Sequence, residues 1–285
     1  MPEITVNNLI LVGDTHIGCQ MALCPPGGAR LDGGGLYMPT PWQCALWEHW
    51  EAFWGEWVPR VTRGEPYAVC HMGDVIDYIH HGAVTQWSHS ITDQERAAEE
   101  ILTPVVKACG GRYYQLRGTE AHSGPSSQSE ESLAKAIGAI PNSAGQFARH
   151  ELWKFVGSDR LKRRRALVHL AHHIGTTGRT HYETSAPMAE LAEAYTEAGR
   201  WGDRPPDVVV RAHRHRALKI GIPSKDGEAI SLITPGWQGK TPFVYRIPGG
   251  RSTQPQFGGA LIRHGDEEHV YARLKVWRLK RPEAE

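Results

Sequence analysis

The chain has 285 residues, of which 40% are hydrophobic and 22% are charged, a balance typical of a globular protein with a sizeable core. Its net charge of +1 gives no overall attraction to nucleic acid or an anionic membrane, and its five cysteines lack the Cys-x-x-Cys spacing of thiolate zinc sites. The sequence has neither an apolar run of about 20 residues, as a membrane span requires, nor a signal peptide. We therefore expect a soluble, cytoplasmic protein that does not contact a membrane.

Strands and helices alternate in the first half of the chain. Three apolar runs predict buried strands, and each run is followed by a glycine that opens a polar segment. These strands span residues 8–12, 67–72 and 112–117. Apolar residues at helical spacing predict three helices, over 41–58, 92–108 and 126–138. The first helix is rich in tryptophan, and its spacing favours packing on a sheet over a surface that stacks nucleobases. Residues 20–41 are rich in glycine and proline and predict a functional or mobile loop.

After about residue 145 the pattern changes to strands with a single helix. The predicted strands span residues 147–156, 165–171, 207–212, 217–222, 229–234 and 270–279, and the helix spans 186–199. Strand–helix units followed by mostly strands predict an α/β protein with two stacked sheets and helices outside them. No segment has the composition of a clear linker, so we expect one domain over residues 1–285.

Five polar segments carry carboxylates and imidazoles, and four of them directly follow a predicted strand. Their candidate residues are Asp14 and His16, Asp74 and Asp77, Glu120 and His122, His172 and His173, and His213 and His215. Each segment alone could be an ordinary loop with a helix-capping aspartate or an exposed histidine. Together they predict a two-metal hydrolytic site, because a carboxylate can bridge two cations about 3.5–4 Å apart. A donor set without thiolates suits Mn²⁺, Fe, Zn²⁺ or Ni²⁺.

Two pairs of histidines differ in their spacing. His172 and His173 are adjacent at the end of a predicted strand, so strand alternation lets only one of them face the metals and does not say which. His213 and His215 lie two residues apart, and both can face one centre. The unperturbed pKa of His122 lies near neutrality, which suits proton transfer.

The order of these segments resembles the calcineurin-like metallophosphoesterase superfamily. That superfamily carries Asp-x-His, Gly-Asp-x-x-Asp, Gly-Asn-His-Asp/Glu, a lone His and Gly-His-x-His, each at a strand end. The resemblance implies a four-layer α/β/β/α sandwich of two mixed sheets flanked by helices, with the site at the carboxyl ends of the strands. The long loop rich in glycine and proline and the Gly-Thr-Glu-Ala-His segment look like a branch met in bacteriophage genomes.

The resemblance also implies which residues hold the two metals. One metal would be held by Asp14, His16, Asp74 and His215. The other would be held by Asp74, the segment after Gly118, His172 and His213. Four further residues are predicted to contact the ligands or the substrate, namely Asp77, His81, Arg117 and His173.

The third segment departs from the family pattern. Where Asn-His is expected after the glycine, this chain has Thr119-Glu120, and a histidine follows only at His122. We predict that Glu120 replaces the asparagine as a ligand and that His122 supplies the catalytic acid. In the alternative interpretation, Thr119 stands at the asparagine position.

The predicted activity is hydrolysis of phosphodiester bonds, in nucleic acid or nucleotides, by a hydroxide that bridges two divalent metal ions, with Mn²⁺ as first choice. Candidate contacts to a nucleic-acid backbone are residues 162–165, Arg211, Arg214 and Arg216, although an isolated basic run is commonly a solvated turn. The loop over 241–259 is a candidate rim, with Arg246 and Arg251. Two alternatives stay open: a phosphomonoesterase on protein or small molecules, and a metal-bound scaffold without activity.

Overall fold

The structure, a computed structural model, describes residues 5–80, 82–157, 165–175, 180–247, 250, 253–265, 267 and 269–278. The expectations for His81, for Arg251 and for residues 162–164 of the basic run lie outside the described residues. Within the described part of the chain, no helix is both long enough and apolar enough to cross a membrane.

Two large mixed sheets form the centre of the fold. The strands are β1 (Asn8–Val12), β2 (Ala29–Arg30), β3 (Leu36–Tyr37), β4 (Tyr67–His71), β5 (Tyr113–Leu116), β6 (Ala148–Arg149), β7 (Glu151–Val156), β8 (Ala166–Ala171), β9 (Val208–Arg211), β10 (Leu218–Ser224), β11 (Gly227–Ile233), β12 (Phe257–Arg263) and β13 (Tyr271–Trp277). The strand order is β13-β12-β1-β4-β5-β6 in the first sheet and β10-β11-β9-β8-β7 in the second. Because β1, β4 and β5 are parallel neighbours, their carboxyl ends meet at one edge of the first sheet.

Most of the helices pack on the outer faces of the two sheets, and two short ones lie within loops. They are α1 (Pro41–Ala52), α2 (Val58–Thr62), α3 (Ile91–Ala108), α4 (Glu120–Ser123), α5 (Gln128–Ile137), α6 (Ser185–Trp201) and α7 (Pro242–Arg246). A wider π-helical turn, Phe53–Trp57, joins α1 to α2. Thr40 caps α1 because its hydroxyl accepts from the Gln43 backbone N–H (3.2 Å) while the Gln43 side chain accepts from the Thr40 backbone N–H (3.0 Å).

The two faces of the first sheet bury different layers, as the alternation along β1 shows. Leu9 and Leu11 belong to the apolar cluster shared with β8 and β9 of the second sheet. Ile10 and Val12 belong to the cluster shared with α1 and α3. On the other face of the second sheet, Leu191 of α6 packs with residues of β9 and β11. The resulting order of helices, sheet, sheet and helix confirms the predicted α/β sandwich.

The tryptophan-rich segment packs in the core. Trp50, Phe53 and Trp57 are buried in the cluster that joins α1 and the π-helical turn to the first sheet. The ring of Trp50 meets that of Trp237 edge-on, with centroids 4.9 Å apart. These buried rings confirm the packing interpretation of the segment over that of a surface for nucleobases.

Candidate metal centre

The candidate centre lies where polar loops from both sheets meet. The loop after β1 runs beside the loop after β4: the N–H of Asp14 donates to the carbonyl of Gly73 (2.9 Å), and that of His16 to the carbonyl of Asp74 (3.1 Å). The loop after β9 reaches across from the second sheet, where the N–H of His213 donates to Asp14 Oδ1 (3.2 Å). Loops that are distant in sequence therefore bring their side chains together between the sheets.

Backbone strain is concentrated at this centre. Of the nine described non-glycine residues with positive φ, five are predicted ligands, namely Asp14, His16, Asp74, His213 and His215. Each such residue costs about 1–3 kcal/mol, a strain that proteins retain where function requires it. The backbone thus orients these side chains at a cost to stability.

The first donor group combines Asp14, His16 and His215, whose donor atoms all lie within 4.8 Å of one another. The Nε2 atoms of His16 and His215 are 3.0 Å apart, and His215 Nε2 is 3.4 Å from Asp14 Oδ1. On the other side of its ring, His16 Nδ1 lies 3.4 Å from Asp77 Oδ1. A carboxylate behind a metal-binding imidazole fixes the ring and its tautomer, as predicted for Asp77.

The second donor group combines His172, His173 and His213. His172 Nδ1 donates to the carbonyl of Met72 (2.7 Å), which turns Nε2 toward Asp74 Oδ2 at 3.2 Å. The rings of His173 and His213 have centroids 4.7 Å apart. Burial still alternates just beyond β8, with His172 buried and His173 exposed, although a ring nitrogen of each lies within 4.8 Å of one on His213. That only one of the two is a ligand stays a prediction.

Asp74 connects the two groups. Its carboxylate lies within 4.8 Å of donor atoms of His16 and also of Asp14 and His172. Asp74 Oδ1 accepts from both the backbone N–H (2.7 Å) and the hydroxyl (3.1 Å) of Thr119. A Cβ atom on Gly118 would lie 2.1 Å from Asp74 Oδ1, so only glycine allows the loop after β5 to approach this carboxylate.

The third segment is arranged differently from the prediction for Glu120. Thr119, not Glu120, contacts Asp74, and α4 begins at Glu120 and leaves its side chain exposed. Among the described residues, Glu120 belongs to no group of clustered donors. His122 is brought into the site: its Nδ1 donates to the carbonyl of Asp77 (2.8 Å), and its ring lies edge-on to that of His16 with centroids 4.3 Å apart.

The charges of the buried groups depend strongly on one another. Burial by itself would raise the pKa of Asp74, but the His172 imidazole holds it well below its usual range. Burial would lower the pKa of His172, and the Asp74 carboxylate instead raises it to about 10. For His122 and His213, burial together with a neighbouring histidine lowers the pKa to about 4. Ionised carboxylates and neutral imidazoles are the forms that bind metal ions, so a cation beside His172 would have to displace the proton that Asp74 stabilises on that ring.

A buried glutamate that the sequence did not single out links two of the loops. Glu130 of α5 accepts from the backbone N–H of Val75 (3.3 Å) and of Gly118 (2.5 Å). Burial and the nearby Asp74 raise the pKa of Glu130 to about 8. Its position three residues before Leu133 and four before Ala134, both buried, was the available signal, because it puts Glu130 on the apolar face of the helix.

Glutamines also support the centre. Gln86 Nε2 donates to Asp77 Oδ2 (2.7 Å), and Gln238 Nε2 donates to Asp77 Oδ1 (3.0 Å). Both side chains are buried, and neither lies in a recognisable motif. They hold the Asp77 carboxylate in place for its contact with His16.

The predicted basic contacts fall into separate places. Arg117 donates to the carbonyl of Ala148 in β6 (2.9 Å) and lies 3.6 Å from Glu131, so it anchors a strand. These contacts do not support the prediction that Arg117 contacts ligands or substrate. Arg211 and Arg216 are ion-paired with glutamates. Arg214 lines the cavity of the candidate centre, which has a volume of about 930 Å³.

The donor groups fit metal ions. Each group offers a carboxylate or imidazole set without thiolate, the chemistry that suits first-row divalent cations. His172 Nε2 is buried and faces Asp74 Oδ2 at 3.2 Å, and His16 Nδ1 is buried and faces Asp77 Oδ1 at 3.4 Å. A cation beside His172 Nε2 would therefore also be within reach of the Asp74 carboxylate.

Comparisons at the level of sequence find no relatives: no protein-family model and no curated protein matches the chain. Among solved structures, a conserved uncharacterised protein from Streptococcus pneumoniae, described as a predicted phosphoesterase, is 10% identical and covers 96% of this chain and 98% of its own, with a TM-score of 0.33. A Thermotoga maritima protein solved by NMR in solution is 12% identical and covers 95% and 100%, with a TM-score of 0.37. Neither likeness is close enough to assign a family, so the assignment of function depends on the residues of the site.

Proposed function

We propose that the chain is a metal-dependent phosphoric ester hydrolase. More narrowly, we propose a phosphodiesterase that acts on nucleotides or nucleic acid. The observation that carries the proposal is the pair of donor groups joined by Asp74, because two-metal hydrolytic sites hold their cations close together around shared ligands. The order of the ligand segments along the chain, which resembles the calcineurin-like superfamily, supports the same reading.

The ligand assignment follows the two donor groups. The first cation would be held by Asp14, His16, Asp74 and His215. The second would be held by Asp74, His172, His213 and His173, with His173 in place of the asparagine that the third segment lacks. Thr119 would orient Asp74 through its two hydrogen bonds. The donor set suits Mn²⁺ first, with Fe, Zn²⁺ or Ni²⁺ as alternatives.

When bound, two such cations would lower the pKa of a shared water and neutralise charge on the phosphoryl oxygens. His122 is the candidate acid for the leaving oxygen. Its Nδ1 is occupied by the carbonyl of Asp77, so Nε2 is the atom that can exchange a proton with substrate. A proton on Nε2 requires the charged ring, and the negative charge of a bound phosphodiester would favour that form.

The activity is tested by metal analysis joined to an assay with Mn²⁺. We expect the chelator-treated chain to be inactive and Mn²⁺ to restore hydrolysis of bis(p-nitrophenyl) phosphate at a higher rate than that of p-nitrophenyl phosphate. A strong preference for the monoester would contradict the phosphodiesterase and favour the phosphomonoesterase. Bound metal without turnover of either ester would favour the binding scaffold.

A further inference from the structure

The cavity of the candidate centre extends from the ligands to α7. Its walls include His122 and His215, and also Phe243 of α7 and Ile247 at the end of that helix. Phe243 is 59% exposed and Ile247 is 37% exposed, although both side chains are large and apolar. Apolar side chains gathered in a concave wall beside polar groups are typical of ligand sites, whereas single exposed ones are ordinary.

The same wall carries a positively charged side chain, that of Arg214. Arg214 lies between the predicted ligands His213 and His215, and its Nη1 donates to the carbonyl of Glu183 (3.0 Å). Its Nε and Nη2 atoms are buried, so Arg214 contributes positive charge to this wall rather than accessible N–H groups. Arg216, by contrast, is paired through two nitrogens with the Glu183 carboxylate (3.0 and 3.1 Å). A positive charge beside the cavity favours an anionic ligand such as a phosphodiester.

We propose that this cavity binds a single nucleotide unit of the substrate, with its phosphate at the candidate centre beside the positive charge of Arg214 and its base against Phe243 and Ile247. The inference rests on the proposed phosphodiesterase function and adds a substrate class, namely dinucleotides and single-stranded nucleotide phosphodiesters. Stacking of a base on an aromatic ring is tolerant of sequence, so we expect little preference among bases.

The size of the cavity argues against a duplex substrate. Its volume of about 930 Å³ falls within the range of small-molecule pockets, roughly 300–1,000 Å³. A base inside a duplex is stacked between its neighbours and must leave the stack to enter a pocket, which costs free energy. A single-stranded or dinucleotide substrate avoids this cost.

The test compares the dinucleotide TpT with an abasic analogue that keeps the sugars and the phosphodiester, with Mn²⁺ present. We expect the wild-type chain to favour TpT by about tenfold in kcat/KM, since a stacked base contributes a factor of at least this order. Phe243→Ala should lose most of that preference, chiefly through a higher KM for TpT. Phe243→Tyr, which keeps a ring, should retain it.

Tyr245 provides a matched control. It lies on the same helix and is also 59% exposed, but it does not line the cavity. Tyr245→Ala should therefore keep the wild-type preference for TpT.

The outcomes separate this inference from the proposed function. Hydrolysis of bis(p-nitrophenyl) phosphate with equal rates on TpT and the abasic analogue would overturn the nucleotide pocket and leave the phosphodiesterase standing. Equal loss in Phe243→Ala and Tyr245→Ala, or cleavage of duplex DNA as fast as of single strands, would also overturn it. No turnover of any phosphodiester with Mn²⁺ would overturn the proposed function itself.

Discussion

The loops after β4 and after β5 begin alike and end differently. Each follows a buried strand in the parallel part of the first sheet, and each opens with a glycine, Gly73 or Gly118. In the first loop, Asp74 comes directly after the glycine and joins both donor groups. In the second, a helix begins at Glu120, and the acidic side chain is exposed. The end of a strand fixes the position of the residue directly after it. The direction of later side chains depends on the local structure that follows, such as the helix that begins at Glu120.

The largest expected effect comes from a substitution in the loop after β4. Asp74→Asn removes a carboxylate shared by both donor groups, and an amide oxygen is a weaker ligand without negative charge. We expect loss of the more weakly held cation and of detectable hydrolysis, measured by metal titration and by turnover of bis(p-nitrophenyl) phosphate. Full activity in this variant would contradict the role of Asp74 as the shared ligand.

The second loop is tested by a pair of variants. His122→Ala should slow hydrolysis of substrates with poor leaving groups by about 10²–10⁴-fold, the usual contribution of a general acid, while metal binding is retained. Glu120→Ala should leave both turnover and metal binding unchanged, because this side chain is exposed and outside the donor groups. Loss of metal in Glu120→Ala would support the prediction that Glu120 is a ligand. Unchanged activity in His122→Ala would contradict the role of His122 as the catalytic acid.

His173 is the residue proposed to compensate for the second loop. His173→Ala removes a proposed ligand, so the affinity for the second cation should fall by more than the roughly 10–100-fold that is typical for loss of a group that only supports a ligand. Isothermal titration with Mn²⁺ measures the loss, with His89→Ala as the control, since His89 is exposed and outside the donor groups. Unchanged affinity in His173→Ala would leave the second cation with His172, His213 and Asp74 alone.

The smallest effect concerns the buried link between the two loops. In Glu130→Gln, the side chain keeps a single acceptor oxygen, so the N–H of Val75 or of Gly118 loses its partner. A buried donor without a partner costs about 1–3 kcal/mol, and we expect the free energy of unfolding in urea to fall by that amount. Glu99→Gln on the exposed face of α3 should change it little. An equal effect of the two changes would show that the link does not stabilise the loops.

The difference between residues at a strand end and residues further along a loop explains what the sequence could predict. Buried apolar runs identified β1, β4 and β9, and the residues just beyond them included Asp14, Asp74 and His213. Strand β12 was missed, because Gly258 and Gly259 weaken the strand pattern, and its first three residues fall in the predicted loop over 241–259. Helices α4 and α7 are too short for a periodic signal.

Two features of the centre depended on more than a local pattern. Whether the side chains of His172 and His173 can both approach His213 depends on where β8 ends, and strand boundaries are poorly predicted from sequence. Glu130 acts through backbone N–H groups of loops distant in the chain, and the sequence does not record that packing.

The central claim is that Asp74 joins two cation sites, and titration of the chelator-treated chain with Mn²⁺ tests it most directly. The account predicts about two cations bound per wild-type chain, as in two-metal hydrolytic sites, and weaker binding with at most one cation in Asp74→Asn. Binding of a single cation by the wild-type chain, or identical titrations of the two proteins, would contradict it.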